Sequence, residues 1–433
     1  MVKISPLRGL RYNTQTVGKL SDVLAPPYDV ISPEQRDQML KKSPYNMVRL
    51  ILNPDADPYA SAANYLQQWI ADGALKADDA ASYYIHYQTY THPVTQKSLT
   101  RKGVLVRIKS EPFSTTGVRA HEKTLAGPKA DRLKLTTATQ TNFSPVFGLV
   151  PDTDERLLNW MEGITRKTAA AASFEFDGYQ HELWCVSNEA EVQALTTLCE
   201  QRHVLIADGH HRYETAVAYA AEHRDSEAAQ FTLMTLVPMS DPGLLVLPTH
   251  RLLQGFTQAQ WQAAQQKVSG LFQRQSLSNL AELEKTLQQL PETVPAFGVL
   301  TGGQIELWQL RPGQSLPSVS GKDIPTAYDV LDLSWLHQGV FEYGLGMTAE
   351  DQSGQKYLQY FKSGEKALEA LGSKAEPQLK ILFYTRAIPL ALIDGLAAKG
   401  LVMPQKSTYF YPKLPSGLVM NAHRFQEQSV VAK

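Results

Sequence analysis

Ionisable side chains are concentrated in one short stretch of the sequence, residues 203–214. An apolar run at 204–207 predicts a buried strand, and the residues from 212 onward predict a helix. Between them lie an acid, a glycine, two histidines and an arginine: Asp208, Gly209, His210, His211 and Arg212. The first amides of a helix have no partner within the helix and carry positive partial charge, so such a turn favours a phosphate or carboxylate ligand. This stretch is therefore the leading candidate for a phosphate site.

The residue types in this turn suit distinct parts of phosphate chemistry. Gly209 lets the backbone approach a ligand closely, while Arg212 and the two histidines supply hydrogen-bond donors. Asp208 suits a metal ligand or a base that accepts a proton. A purely structural interpretation stays open, because Asp-Gly is a common turn and Asp208 can cap a helix. A zinc site on a histidine and Glu214 is another alternative, although no HExxH order or nearby cysteine supports it.

A second polar cluster occupies residues 119–132. Its potential acceptor groups and cations are His121, Glu122, Asp131, Arg119, Lys123, Lys129 and Arg132. A solvated, salt-bridged loop and helix explains such a composition without any ligand. The functional interpretation is a lid in which Arg119, His121 and Lys129 contact nucleotide phosphates, with Glu122 as base or metal ligand.

Three further segments carry weaker signals. Asn46 and Arg49 lie on a predicted strand, where a polar pair faces either the strand edge or a site. Residues 26–29, with two prolines, are interpreted as a rigid loop on the substrate side. Residues 404–417 combine lysines, hydroxyls and aromatics, which fits a closing strap or a plain β-hairpin. Ordinary turn and strand-edge chemistry is the alternative for all three.

The composition limits the classes of protein that need to be considered. The 433 residues are 43% hydrophobic and 20% charged, with a formal net charge of −1, which argues against a general nucleic-acid binder. The two cysteines, Cys185 and Cys199, have no metal-site or disulfide-framework spacing, so a reducing compartment is expected. No signal-like segment and no apolar run of about 18 residues occurs. We therefore expect a cytoplasmic protein without a membrane partner.

The pattern of hydrophobic residues predicts an α+β fold. Strands are predicted at residues 46–52, 83–90, 101–108, 174–186, 204–207, 231–238, 243–253, 296–300, 304–310 and 379–384. Helices are predicted from an N-cap at Ser32 and at residues 59–72, 212–224, 258–272, 280–290, 329–343, 364–372 and 389–398. We expect a main α+β domain at 1–255 with the nucleotide site, a small α+β subdomain at 256–325, and a C-terminal α+β segment at 326–433 that packs back on the core.

Five motifs in sequence order resemble a known family. They are Ala-Pro-Pro-Tyr-Asp-Val-Ile at 25–31, Arg-Ala-His-Glu-Lys-Thr at 119–124, Gly-Pro-Lys-Ala-Asp-Arg at 127–132, Ala-Asp-Gly-His-His-Arg-Tyr-Glu-Thr-Ala at 207–216 and Lys-Ser-Thr-Tyr-Phe-Tyr-Pro-Lys at 406–413. Together they resemble the bacterial and archaeal domain-of-unknown-function family 1015. The Asp-Gly-His-His-Arg element is similar to the phosphate-binding turn of the ParB/sulfiredoxin fold. The resemblance implies a mixed-sheet catalytic core of that type with an additional smaller α+β subdomain.

The resemblance also implies an activity, because members of this family are linked to ATP-dependent phosphorylation of free serine. The expected enzyme transfers the γ-phosphoryl group of ATP to the hydroxyl of L-serine, with Mg²⁺ bridging the phosphates. Asp208, Glu122 and His210 are the expected catalytic residues, and Asp208 and Glu122 the expected Mg²⁺ ligands. Residues 209–212 are expected to bind the phosphates with the cations of the second cluster. Asn46 and Arg49 are the expected substrate-binding residues, with Arg49 as the cation for the carboxylate of serine.

Other functions fit the same residues. A nucleotide-binding regulator of ParB-like type and a hydrolase of phosphorylated metabolites are the alternatives to the kinase. A sulfiredoxin-like repair activity is not expected, since the turn contains no cysteine. A homodimer is one option for the oligomeric state, which the sequence leaves open.

Overall fold

The computed structural model describes the whole chain except residues 123, 125, 319–323, 373–378, 405 and 427–433. The chain divides into two compact units. The first contains Met1–Leu245, Ala397–Gly400 and the described residues from Pro412 onward, and the second contains Val246–Leu396 and Leu401–Tyr411. This division differs from the three predicted segments, because strands from both predicted smaller segments belong to one sheet of the second unit.

The first unit combines strands and helices along its whole length. Its strands up to residue 245 are β1 (Ile4–Ser5), β2 (Leu10–Tyr12), β3 (Leu75–Ala77), β4 (Tyr83–Thr91), β5 (Ser98–Lys109), β6 (Val118–Arg119), β7 (Thr141–Asn142), β8 (Val146–Val150), β9 (Ala172–Phe176), β10 (Tyr179–Val186), β11 (Val204–Asp208) and β12 (Phe231–Pro238). Its helices are α1 (Thr14–Val17), α2 (Leu20–Val23), α3 (Pro33–Lys42), α4 (Val48–Ile51), α5 (Pro58–Ala71), α6 (Ala126–Thr139), α7 (Arg156–Thr165), α8 (Glu189–Glu200) and α9 (His210–Glu222).

A large mixed sheet organises the first unit. Among the described residues it contains nine strands, in the order β6-β11-β8-β12-β5-β4-β10-β9, with β1 paired to β5. The β6–β11 and β8–β12 pairs are parallel, whereas β11–β8, β12–β5, β5–β4 and β4–β10 are antiparallel. The molecule therefore has the α+β class and the mixed sheet that the sequence predicts.

Apolar side chains cover both faces of this sheet. Val104 and Val106 of β5 belong to one buried cluster, which also contains residues of α7 and α8. Leu105, between them, belongs to a second cluster with residues of α5 and α6. Successive side chains of a strand point to opposite faces, so this alternation places helices on both sides of the sheet. Residues 204–207 of β11 are buried throughout, as expected for a strand covered on both faces.

The second unit has its own sheet. Helices and strands from residue 245 onward are β13 (Leu245–Leu247), β14 (His250–Gln254), α10 (Gln258–Lys267), β15 (Phe272–Leu277), α11 (Leu280–Gln289), β16 (Ala296–Thr301), β17 (Gln304–Leu310), α12 (Asp332–Ser334), a π-helix (Trp335–Gly344), α13 (Ala349–Ser353), β18 (Leu358–Phe361), α14 (Gly364–Leu371), β19 (Lys380–Tyr384), α15 (Leu390–Ala397) and β20 (Tyr409–Tyr411). Among the described strands, six form a sheet in the order β15-β17-β16-β19-β14-β18. In the first unit, β21 (Asn421–Ala422) pairs with β7.

Most predicted elements are present, and several differ. The predicted strand at 243–253 is the two strands β13 and β14, and the predicted helix at 329–343 is α12 followed by the π-helix. Ser32 caps α3, as predicted, and Gln35 completes a capping box with it. The predicted strand at 46–52 is wrong, because this apolar run forms the short buried helix α4. The predicted strand at 174–186 is a hairpin of β9 and β10, and the helix predicted to reach Phe272 ends at Lys267, before β15. In the described part of the chain, no helix combines the length and apolar character needed to cross a membrane.

Candidate active site

The candidate site is built on the turn from β11 to α9. β11 ends at Asp208 after an irregularity in its pairing with β8, where Ile206 lies opposite Gly148 and Asp208 opposite Phe147. Gly209 then adopts φ +89°, in the left-handed region that favours glycine, and α9 begins at His210. Gly209 is the N-cap of α9 and has no side chain to cap the helix. The sequence prediction of a strand, a tight glycine turn and a helix is confirmed.

Two cations hold the carboxylate of Asp208. Arg212 donates to Oδ2 at 2.6 Å, and the Lys413 ammonium forms an ion pair with Oδ1. Burial opposes ionisation of this carboxyl, but the charges of Lys413 and Arg212 outweigh that effect and hold the pKa of Asp208 well below its usual range. Arg212 also donates to the carbonyl of Pro145. Asp208 is thus an ionised anchor for two cations, and Arg212 is engaged on the protein side.

Two histidines form the buried wall behind the turn. The Nδ1 of His121 lies 2.6 Å from the carbonyl of Ile206, and because a carbonyl only accepts, this nitrogen carries the proton. The backbone N–H of His121 donates to Nε2 of His210 at 3.3 Å, and the two rings meet edge to face. Burial and the neighbouring His121 lower the pKa of His210 to about 3, so its imidazole is neutral at physiological pH.

Polar groups of the second cluster reach the first turns of α9. Oε1 of Glu122 lies 3.7 Å from Nε2 of His121, and its charge acts on both His210 and His211. Lys129 forms a 2.9 Å ion pair with Glu214 of α9. Burial lowers the pKa of the half-buried His211. The two clusters that the sequence analysis identified separately therefore lie side by side.

The loop at residues 26–29 also reaches this region. The charges of Arg212 and Arg132 act on the phenol of Tyr28, and Arg132 stacks on its ring with a guanidinium-to-centroid distance of 4.1 Å. The charge of Asp29 acts on His211. Ser416 joins this loop to the C-terminal segment, since its backbone exchanges hydrogen bonds with that of Ala25. The site thus receives residues from segments far apart in the sequence.

Arg119 is the cluster residue that points elsewhere. In β6 it lies opposite Leu205, three residues before Asp208, and consecutive strand residues are separated by about 3.3 Å. Its guanidinium contacts Nε2 of His203 at 2.8 Å and the carbonyl of Thr115 at 2.7 Å. Its contacts therefore do not support the predicted phosphate role. Lys123, the remaining cation of this cluster, lies outside the described residues.

The two predicted substrate residues have structural contacts. Asn46 is fully buried, and its side-chain amide donates to the carbonyls of Asp22 and Leu24 while its oxygen accepts from the N–H of Val48. Arg49 donates to the carbonyl of Leu40. Asn46 therefore organises the start of α4, and the substrate roles of both residues stay predictions that these contacts do not support.

Lys413 is the principal site residue that sequence reasoning missed. It closes the fifth motif, but nothing in its local sequence indicates that Asp208 is its partner. Buried side chains hold its backbone: Arg101 donates to the carbonyl of Pro412, and Gln88 donates to that of Lys413 at 3.1 Å. The only signal available beforehand was the motif itself.

The oxygen donors near the turn fit a Mg²⁺ site better than a zinc site. Among the described residues, no group of three or more His, Cys, Asp or Glu side chains converges as a metal cage would require. Glu214, needed for the zinc alternative, accepts from Lys129 and from Thr124. A Mg²⁺ ion commonly uses one or two carboxylates together with substrate phosphates, and Asp208 and Glu122 are ionisable donors of that type.

Solved structures with related architecture are distant from this chain. A conserved hypothetical protein from Pyrococcus furiosus is 14% identical with a TM-score of 0.36, and the alignment covers 75% of this chain and 97% of that one. A mutant free serine kinase in complex with AMP is 12% identical with a TM-score of 0.39, covering 75% and 93%. SbnI from Staphylococcus aureus, truncated at its C-terminus, is 10% identical with a TM-score of 0.37, covering 75% and 89%. Similarity at this level carries no argument about function.

Sequence comparison gives a firmer result. No curated protein matches the chain. A family model with the description "Protein of unknown function (DUF1015)" matches residues 4–334, which is well over half of the chain. These residues include four of the five motifs from which the resemblance was inferred. The chain therefore belongs to the DUF1015 family.

Proposed function

We propose that this chain is a small-molecule kinase that transfers the γ-phosphoryl group of ATP to the hydroxyl of free L-serine. The observation that carries the proposal is the convergence on the β11–α9 turn of Asp208, Glu122, Lys129 and Lys413. Phosphoryl transfer requires positioning, neutralisation of phosphate charge and a group that takes the hydroxyl proton. The choice of L-serine, and a turn of ParB/sulfiredoxin-like type, rest on the resemblance of the motifs.

The phosphates are proposed to bind at the N-terminus of α9. Gly209 presents no side chain, and the first amides of this helix of 13 residues carry positive partial charge. Half-buried His211 in the first turn and the Lys129 ammonium, which pairs with Glu214 in the second turn, are proposed to add donors. His210, which is neutral and buried, is proposed to fix the shape of the turn through its contact with His121.

The transfer itself is an in-line displacement. The serine hydroxyl oxygen forms a bond to the γ-phosphorus while the bond from that phosphorus to the β,γ-bridging oxygen breaks, and ADP leaves with that electron pair. The hydroxyl proton passes to a carboxylate. We assign this role to Glu122 and not to Asp208, because two cations hold Asp208 ionised and make it a weak base.

Asp208 is then the better candidate to hold Mg²⁺. A carboxylate whose pKa is far below its usual range is always ionised at neutral pH, which suits a cation-binding oxygen donor. Bound to the nucleotide, Mg²⁺ would neutralise charge on the phosphates. Arg212 and Lys413 would keep the carboxylate oriented toward the turn.

A direct assay tests the activity. Purified protein with MgATP is expected to release ADP in proportion to added L-serine, measured with a coupled enzyme assay. Release of phosphate without any acceptor would favour the phosphometabolite hydrolase. Nucleotide binding without turnover across common hydroxy amino acids and hydroxy acids would favour the regulatory protein.

A further inference from the structure

A small cavity adjoins the candidate site within the first unit. Its volume is about 50 Å³, and its lining includes Tyr28, Arg132, Thr136, Ser144 and Arg212. A buried water needs roughly 10–15 Å³ of cavity volume, so the cavity has room for about three to five waters. That space suits part of a small metabolite and is too small for a nucleotide.

The charge of the lining favours an anion. Two arginines line the cavity, and no aspartate or glutamate is among its described lining residues. The side chains of Arg132 and Arg212 are only 11% and 13% exposed. Arg132 pairs with Asp131 at 2.6 Å, and Arg212 and Lys413 share the carboxylate of Asp208, so these five side chains leave one positive charge in excess beside the cavity. A carboxylate can meet the planar edge of a guanidinium with two hydrogen bonds, which makes it a suitable ligand here.

Arg212 connects this cavity to the proposed phosphate turn. Its guanidinium packs so closely on Gly209 that a Cβ added there would lie 2.9 Å from it. The same guanidinium lines the cavity and pairs with Asp208. Its described contacts, to Asp208 and Pro145, use two of the five N–H donors that an arginine has. The Arg212 side chain would therefore lie between an anion in the cavity and the phosphates at the turn.

We infer that this cavity binds the carboxylate of a small hydroxy-acid acceptor, such as an amino acid with a side-chain hydroxyl, and that Arg132 and Arg212 are its cations. The inference deepens the proposed function and rests on it for the fate of the hydroxyl. It gives the carboxylate a binding site that Arg49 does not provide. Thr136 and Ser144 also line the cavity, and a hydroxyl can both donate and accept hydrogen bonds.

Calorimetry on the full-length protein with a non-hydrolysable ATP analogue tests the inference. L-Serine and glycerate are expected to bind, and ethanolamine, which is serine without its carboxylate, to bind at least tenfold more weakly. Arg132→Gln is expected to weaken both acids by about 10–100-fold, the range of a lost charge-assisted hydrogen bond, and to leave the analogue affinity unchanged. The matched control Arg166→Gln removes a guanidinium whose side chain is 75% exposed and should change neither affinity.

Arg132 also donates to the carbonyl of Ile51, so Arg132→Gln can disturb the fold. A second variant therefore tests the cavity without removing this hydrogen bond. Thr136→Leu puts a larger side chain at the wall of the cavity, on α6, and removes no charge. The cavity should then be too small for the acids, while the ATP analogue still binds. The inference is overturned if neither acid binds to the wild-type protein, if ethanolamine binds as tightly as L-serine, or if both variants bind the acids normally.

Phosphoryl transfer separates this inference from the proposed function. If the protein phosphorylates ethanolamine and L-serine equally well, the carboxylate site is wrong and the kinase assignment stands. If the acids bind in an Arg132-dependent manner but no acceptor is phosphorylated, the kinase assignment is wrong and the carboxylate site stands.

Discussion

Lys413 forms an ion pair with Asp208, a residue 205 positions earlier in the chain. The contact brings the C-terminal segment to the turn that carries the candidate site. It also determines the protonation of Asp208, whose pKa is held low by Lys413 and Arg212 against the effect of burial. The account of the site can therefore be tested at Lys413 without altering the turn itself.

Replacing Lys413 with methionine should damage the site more than the fold. We expect the loss of one of the two cations to raise the pKa of Asp208 and to reduce phosphoryl transfer at least tenfold, because the carboxylate loses one of its two fixed partners. Steady-state kinetics and thermal unfolding measure the two effects. Lys167→Met, at an exposed lysine, is the matched control. Equal activity of the two variants would contradict a site role for Lys413.

Gly209 offers a second test, because its backbone strain can be separated from its contacts. Gly209→Ala places a Cβ at φ +89° and 2.9 Å from the Arg212 guanidinium. Gly178→Ala has nearly the same strain, at φ +79°, with nothing within 4 Å. Each should lose about 1–2 kcal/mol of unfolding free energy. Only Gly209→Ala should lose nucleotide affinity in calorimetry, and parallel losses in both would show that strain alone is responsible.

The two carboxylates should respond differently to amide substitution. Glu122→Gln should lower transfer by about 10²–10⁴-fold, the usual contribution of a general base, with little change in thermal stability. Asp208→Asn should lower thermal stability as well as transfer, because Arg212 and Lys413 lose their shared anion. Comparing kinetics with melting temperatures distinguishes the roles. If Glu122→Gln retains full activity, Glu122 is not the base.

Acid should destabilise the first unit through a buried histidine pair. Nε2 of His86 and Nδ1 of His181 lie 3.0 Å apart, and His181 is fully buried. Burial lowers the pKa of His181 from 6.5 to about 4, so the unfolded state binds its proton first as pH falls. The stability from neutral His181 is present above pH 6.5 and is progressively lost between pH 6.5 and pH 4.

The size of this effect follows from the two pKa values. Between pH 7.5 and pH 5, His181 alone should reduce the free energy of unfolding by about 2 kcal/mol. Urea unfolding at the two pH values measures the change. His181→Phe, which retains an aromatic ring beside Phe174, should reduce the pH dependence by about that amount. An unchanged pH dependence would show that His181 does not titrate as its burial implies.

The fold was predictable where the pattern is local. Ser32 is the N-cap of α3 that the sequence predicts, and β12 has the predicted bounds. The run at 46–52 was misassigned because a short, continuously apolar segment fits either a buried strand or a buried helix. Helix α10 ends at Lys267, and β15 was missed because the apolar pattern continues past that residue.

In the candidate site, too, the features set by local sequence were predictable and those set by tertiary contacts were not. The turn at 208–212 was predictable because a buried strand, a glycine and a helix are adjacent in sequence. The partners of its residues were not, since the pairing of Asp208 with Lys413 and the placement of Tyr28 beside Arg132 depend on tertiary contacts. For Arg119 and Arg49 the residue type suggested a ligand-binding role. In the structure both side chains instead donate to backbone carbonyls.

The central claim is that Glu122 and the β11–α9 turn catalyse phosphoryl transfer to free L-serine. Phosphorus NMR of purified protein incubated with MgATP and L-serine tests it most directly. The account predicts resonances of O-phosphoserine and ADP growing together with the wild-type protein, and neither with Glu122→Gln. Absence of O-phosphoserine from a folded wild-type protein that binds ATP, or its equal formation by Glu122→Gln, would contradict it.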